Sequence, residues 1–349
     1  MKVADKYYQT IYAHSHIGVV EFIDQTKLPY EFELVSTDDY LVLITAIRTM
    51  QVRGAPVIGI CGALALVLGT QCDSSNSNIE HLAKQIISSR PTAVNLYWAV
   101  TKIKNFLLNT PENQRKKNAW NFAEDLIQSD IRANKLIGEI GSEIIHKSLD
   151  RPINILTHCN AGWLATVDYG TALSPIFHAF EQKKNIHIWV DETRPRNQGL
   201  LTCWELKNLD IPHTLIVDNA GGLLMMQDKV DLVIVGADRI STQGYVCNKI
   251  GTYLKALAAF DQKIPFYVAA PISTIDPKFD HDVNFEIEAR DQMEIKQIYG
   301  VSNDGKRTSI YFPDYETYNP AFDITPPHLI SGIITEKGIF KPSELKGLL

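Results

Sequence analysis

The stretch from Ile153 to Leu173, INILTHCNAGWLATVDYGTAL, puts a thiol where it could react. Ile153 to Thr157 is short, apolar and β-branched, the composition of a buried strand. Asn160-Ala161-Gly162 supplies small and capping residues, and Ala165 to Leu173 continues at helical spacing. Cys159 is therefore expected at a strand-to-helix turn, whose backbone N–H groups and positive helix end favour anions and lower a thiol pKa. An isolated cysteine is more often an inert core residue. The turn around this one tips the reading toward function.

Arginines stand at two helix starts. Arg53-Gly54-Ala55-Pro56 leads into the apolar run Val57 to Gly69, and Arg90-Pro91-Thr92-Ala93-Val94-Asn95-Leu96 repeats the design. A guanidinium beside free backbone N–H groups can hold a phosphate. Capping of a neighbouring turn explains one such arginine equally well; two in one small region point to an anion.

The elements that must position these groups follow from pattern. From Ile153 onward, strands alternate with helical stretches: Ile153 to Thr157, Ile186 to Val190, Thr214 to Val217, Leu232 to Val235 and Phe266 to Ala269. This is the signature of a Rossmann-like, mostly parallel sheet with helices on both faces. The strands end in His158-Cys159-Asn160, Asp191-Glu192-Thr193-Arg194, Asp218-Asn219-Ala220, Gly236-Ala237-Asp238-Arg239 and Pro271. Ligands of open α/β sheets bind at the carboxyl ends of strands, so these residues are expected to converge on one crevice. Any one polar strand end is commonly just a helix cap. No GxGxxG follows the first strand and no GxxxxGK[ST] occurs, so neither a dinucleotide nor a P-loop nucleotide is implied. A Cys-His-Asp hydrolase is disfavoured, because His158 adjoins Cys159 and points the opposite way along an extended chain.

Ahead of this sheet, Gly18 to Ile23 and Tyr30 to Leu34 read as strands of a small antiparallel sheet, and Tyr40 to Met50 as a helix behind Asp38-Asp39. His14 and His16 share a strand face with no nearby thiol or carboxylate, and read as plain polar residues. Gln71 to Asn78 and Pro111 to Lys117 read as polar loops, and Trp120 to Ser148 as one or two bridging helices. The expected organisation is an N-terminal α+β domain, residues 1–120, and a C-terminal Rossmann-like catalytic domain, residues 121–349.

Composition sets limits. The 349 residues are 45% hydrophobic and 21% charged, as in a globular protein, with a net charge of −6 that argues against nucleic acid or an anionic membrane as partner. The longest apolar run holds three glycines and falls short of the roughly 20 residues that cross a bilayer. The N-terminus lacks the apolar segment of a secretory signal, and five scattered cysteines without a CxxC pair suggest neither disulfides nor structural zinc. A cytoplasmic location is expected.

Together, the motifs Arg53-Gly54-Ala55-Pro56, Arg90 to Leu96, Thr157 to Gly162, Asp191 to Pro195, Gln198-Gly199, Gly236 to Ile240, Asn248 to Tyr253 and Asn319 to Asp323 closely resemble the methylthioribose-1-phosphate isomerases of methionine salvage, from about Asp24 to Phe340. The regulatory subunits of a eukaryotic translation-initiation exchange factor share that fold but lack the cysteine and aspartate pair. The resemblance implies catalysis by Cys159 and Asp238, substrate contacts from Arg53, Gly54, Ala55, Arg90, Gln198, Asn248 and Lys249, and a homodimer. It departs at Leu200-Leu201-Thr202, where the family usually reads Ala-Arg-Leu-Thr, at Trp163 and Asp168, where small residues are usual, and at Ser241-Thr242-Gln243.

The implied reaction converts 5-methylthioribose 1-phosphate to 5-methylthioribulose 1-phosphate. A furanose blocked at C1 cannot open its ring unaided, so an acid must protonate the ring oxygen, and Asp238 is the implied donor. Burial would keep it protonated and the arginines would oppose this. The C2 hydrogen then reaches C1 as a proton, with Cys159 as base, or as a hydride, with Cys159 as stabiliser. Neither route requires a metal or an organic cofactor. The alternatives are an isomerase of 5-deoxyribose 1-phosphate or ribose 1,5-bisphosphate, and a non-catalytic regulatory subunit of the same fold.

Overall fold

Two kinds of hydrophobic pattern build two differently constructed halves in the computed structural model, which describes residues 1–146, 150–279 and 287–348. The chain opens with a hairpin, β1 (Lys2–Val3) and β2 (Lys6–Tyr7), and an antiparallel sheet of β3 (Ile11–His14), β4 (Val19–Ile23) and β5 (Leu34–Thr37). Helix α1 (Tyr40–Thr49) begins where the Asp39 side chain accepts a hydrogen bond from the Leu41 N–H, and ends at Met50 in the left-handed region. Helix α2 (Ala55–Cys72) is buried without interruption from Pro56 to Thr70. Its length and apolarity would suit a membrane span, yet α3 (Asn76–Ile87), α4 (Val94–Leu108) and α5 (Glu112–Ser142) enclose it. A helix apolar on every side is a core helix when neighbours cover it.

The second half comprises β6 (Ile153–Thr157), α6 (Ser174–Glu181), β7 (Ile186–Asp191), α7 (Gly199–Asn208), β8 (His213–Ile216), α8 (Ala220–Met226), β9 (Leu232–Val235), β10 (Arg239–Ser241), β11 (Val246–Lys249), α9 (Thr252–Asp261), β12 (Phe266–Ala269), β13 (Ile275–Asp276), α10 (Met293–Lys296), β14 (Gln297–Val301), β15 (Arg307–Tyr311), β16 (Phe322–Thr325), β17 (Gly332–Thr335) and β18 (Gly338–Phe340). The large sheet runs β18-β17-β12-β9-β6-β7-β8, parallel throughout except for β18. Period-two alternation assigns its two faces: Ile155, Ile188, Ile234 and Ile334 join one buried cluster, while Leu156, Val233, Val235 and Ile333 join another. Strand order reverses between β6 and β9, which makes the gap beyond their carboxyl ends the topological switch point. A smaller sheet, β13-β10-β11-β16, stands beside that gap, and β14 and β15 form a separate hairpin.

Several local expectations are corrected. Residues 31–33 form no strand: Phe32 packs on Tyr8 and stacks on Trp204, and the third strand of the small sheet lies at 34–37. The Gln71 to Asn78 loop shrinks to residues 73–75, because the Ser75 hydroxyl caps α3. Pro111 to Lys117 is not a loop. Pro111 occupies the cap of α5, where a missing N–H costs nothing, and Arg115 turns inward onto the Thr110 and Ser74 carbonyls. From Trp120 a single helix continues to Ser142; the expected end at Ser148 lies outside the described residues. This helix runs unbroken through residue 120, with Trp120 to Ile131 packed on the first half and Ile137 on the second.

Ala165 to Leu173 forms no α-helix. After a 3-10 turn at Trp163–Ala165 the chain is irregular, with Tyr169 and Gly170 at positive φ, and its buried backbone is satisfied from outside. Val167 N–H donates to Asp130, while Thr171 N–H and Leu173 N–H donate to the Ala161 carbonyl. Cys159 therefore has no helix start behind it.

Candidate active site

Cys159 follows β6 and Asp238 follows β9, so the two strands that flank the switch point deliver one group each. Cys159 adopts φ +67°, an uncommon conformation for a residue with a Cβ. Its backbone is held on both sides: the N–H donates to the Thr193 hydroxyl at 2.8 Å, and the carbonyl accepts from the Thr202 hydroxyl at 2.8 Å. Asp238 is fixed by its N–H donating to the Cys247 carbonyl at 3.0 Å.

The helical half closes the other side. Gly54 starts α2 at φ +111°, and a Cβ there would lie 2.4 Å from the Ala165 backbone, so only glycine lets the two halves meet here. Arg53, buried, donates from Nε to Gln25 Oε1 at 3.1 Å and from Nη2 to the Asn160 carbonyl at 3.1 Å and its side-chain oxygen. Arg90 reaches Glu288 through Nη2 at 3.4 Å, while its buried Nε and Nη1 have no partner among the described residues. Buried donors left unsatisfied are costly, which suits a site awaiting an anion. From the small sheet come Asn248, whose amide donates to the Thr252 hydroxyl at 3.0 Å, and Lys249, whose ammonium lies 5.2 Å from the Phe322 ring.

These groups share a cavity of about 70 Å³ lined by Cys159, Asp238, Arg53, Gly54, Ala55, Arg90, Gln198, Asn248 and Lys249, every residue singled out from sequence. It adjoins a cleft of about 560 Å³ through Met50, Arg53 and Gln198. Sequence reasoning missed Met50, Arg290 and Phe322, which also line the cavity. Arg290 sits in a charged stretch without a motif, and Met50 is placed only by the end of α1, so neither carried a signal.

Burial dominates the electrostatics. It raises the Asp238 carboxyl above the usual carboxylate range, against the pull of Lys249, Arg90 and Arg53. It also raises the Cys159 thiol, against Arg53 and Lys249, which corrects the expectation of a lowered thiol pKa. Burial likewise lowers the Lys249 ammonium and the Arg53 guanidinium. A cavity lined by four cationic side chains, Arg53, Arg90, Lys249 and Arg290, inside an acidic protein, suits a negatively charged ligand.

His158 turns away from the thiol. Its Nδ1 lies 2.8 Å from Asp191 Oδ2 and its Nε2 2.8 Å from the Ile250 carbonyl. Among the described residues His158, Asp191 and Asp218 are the group whose ligand atoms converge as at a metal site. Lys255 Nζ, 3.2 Å from Asp191 Oδ2, already supplies the positive charge there.

Residues 51–342 match the initiation factor 2 subunit family. A methylthioribose-1-phosphate isomerase of Escherichia coli O45:K1 is 46% identical over 99% of this chain and 95% of its own length. Among solved structures, 5-methylthioribose 1-phosphate isomerase from Pyrococcus horikoshii OT3 superposes with a TM-score of 0.81 at 35% identity, covering 98% and 95% of the two chains. The translation initiation factor eIF-2B, subunit delta, from A. fulgidus superposes with a TM-score of 0.79 at 38% identity over 97% of each chain.

Proposed function

The chain belongs to the initiation factor 2 subunit family, and we propose that Cys159 and Asp238 are the reacting groups of the activity it carries. That activity is the aldose–ketose isomerisation of 5-methylthioribose 1-phosphate to 5-methylthioribulose 1-phosphate in methionine salvage, carried by the near full-length 46% identity to isomerases of that substrate. Arg53, Arg90 and the start of α2 bind the C1 phosphate, with Gly54, Ala55, Gln198, Asn248 and Lys249 as further contacts. The Arg90 nitrogens and the Lys249 ammonium, which have no hydrogen-bond partner among the described residues, support this assignment.

Asp238, whose carboxyl burial shifts toward the protonated form, gives its proton to the ring oxygen as the C1–O bond breaks with its electron pair going to that oxygen. The C2 hydrogen then moves to C1. A thiol raised by burial is a poor base at neutral pH, which supports hydride transfer, with Cys159 stabilising the charge left at C2. The C2 hydroxyl proton returns to the Asp238 carboxylate as the ketone forms, and the acid is regenerated. Turnover in D₂O tests the route. Product without deuterium on C1 is expected; deuterium there would assign Cys159 as base.

The five cysteines are free, and we read the chain as cytoplasmic. We also read it as a homodimer. Leu254, Leu257 and Phe260 recur at helical spacing on α9, exposed beside exposed Leu223 and Met226 of α8, and a contiguous apolar face of this kind marks an interface.

A further inference from the structure

Beneath the cavity lies a carboxylate that the reaction does not touch. Glu205 of α7 is wholly inaccessible, and no Lys, Arg or His among the described residues pairs with it. Everything it meets is a donor: the Asn160 amide at 2.8 Å, the Trp163 N–H at 3.0 Å and the Leu164 N–H at 3.3 Å. Room is made for it, since a Cβ on Gly162 would lie 1.8 Å from its Oε2. Burying an unpaired carboxylate is costly, so burial pushes its pKa up to about 7, and Arg53, the cation that opposes this, stands one amide away.

The amide between them has its orientation dictated from both ends. Asn160 Nδ2 donates to Glu205 and to the Thr202 hydroxyl at 3.2 Å, so Asn160 Oδ1 must face the other way, onto Arg53 Nη2. Gln25, held by the Leu164 carbonyl at 2.8 Å, fixes Arg53 Nε. Arg53 Nη1 has no partner among the described residues, and Arg53 lines the cavity.

We propose that Glu205 is a positioning residue that acts through the Asn160 amide to aim the Arg53 guanidinium at the substrate phosphate, a role that rests on the assignment of Arg53 above. Without an acceptor at position 205 the amide turns over and presents its NH₂ to the guanidinium, displacing it. Charge alone predicts the reverse, because removing a buried anion should tighten binding of another anion nearby. The two effects have opposite signs, so they can be told apart.

The test is sulfate binding to the full chain by calorimetry, which needs no turnover and uses a dianion that does not titrate near neutral pH. At pH 8, above the Glu205 pKa, Arg53→Ala is expected to weaken sulfate, and Glu205→Leu, which leaves no acceptor there, to weaken it about tenfold, the scale of one charge-assisted hydrogen bond. The double variant Asn160→Asp/Glu205→Gln exchanges carboxylate and amide, restores an acceptor facing Arg53, and is expected to bind within about threefold of wild type. Sulfate affinity unchanged by Arg53→Ala overturns the assignment of Arg53 and the relay with it. Affinity lowered by Arg53→Ala but unchanged or raised by Glu205→Leu overturns the relay alone. Should Glu205→Leu fail to fold, the double variant decides: affinity near wild type supports the relay, and a tenfold loss overturns it.

Discussion

The sheet side and the helical side of the crevice reach one cavity by opposite means. Cys159 and Asp238 extend from β6 and β9, strands that pair with each other through Ile155–Leu232 and Leu156–Val233, so their separation follows from a hydrogen-bonded register. Arg53 and Arg90 come from connections between helices, and each is held to the other half at one residue, Asn160 through its carbonyl and side-chain oxygens and Glu288 through its carboxylate. A register is a local property of two strands. A side chain bridging two halves depends on how the halves dock. The proposed reacting groups therefore sit on a hydrogen-bonded sheet, and the two arginines proposed to bind phosphate on the part whose placement depends on docking.

The sharpest way to break this contrast is Asp238→Asn, which keeps the shape and removes the proton. Turnover should fall by about 10²- to 10⁴-fold, with sulfate binding within about threefold of wild type. In the wild type, activity should be lost as pH rises through the Asp238 pKa, because the protonated form is the acid and burial has raised that pKa. A variant turning over near the normal rate would remove Asp238 from the mechanism.

A smaller effect is expected on the helical side. Arg90→Ala removes a group proposed to bind the phosphate and to take no part in the bond changes, at a cost of about 1.5–3 kcal/mol in kcat/KM, carried mainly by KM. If kcat fell instead with KM constant, Arg90 would belong with the reacting pair and the division of labour between the two sides would fail.

The same contrast explains what could be read in advance. Strands β6, β9 and β12 were legible to the residue, because short, mostly apolar runs break off at His158, Gly236 and, one residue beyond the strand, Pro271. Cys159 and Asp238 were legible with them. The segment after Cys159 misled, because Ala165 to Leu173 has helical spacing while its backbone partners, Asp130 and Ala161, come from elsewhere. Charged residues after Pro111 looked like a loop although they form the solvated first turns of α5. Glu205 carried no signal at all: a glutamate within an apolar helical stretch reads as surface, and its donors become visible only when α7 packs against Asn160 and Trp163.

The smallest effect should come from the exposed face of α8 and α9, which neither side of the crevice uses. None of the residues lining the cavity lies on α8 or α9, so the proposed pairing face and the cavity are built from different elements. Leu254→Asp places a charge in the middle of the apolar row formed with Leu257 and Phe260. An uncompensated charge buried between two copies costs several kcal/mol, enough to separate them at micromolar concentration. Light scattering should then report the mass of one chain, and kcat/KM should stay within about twofold of wild type, since Leu254 belongs neither to the cavity lining nor to the β6–β9 pairing. A variant that remains dimeric moves the interface elsewhere. A monomer that has lost activity would show that the cavity depends on the second copy, and the contrast between a self-sufficient sheet side and an adjustable helical side would have to include a third contributor.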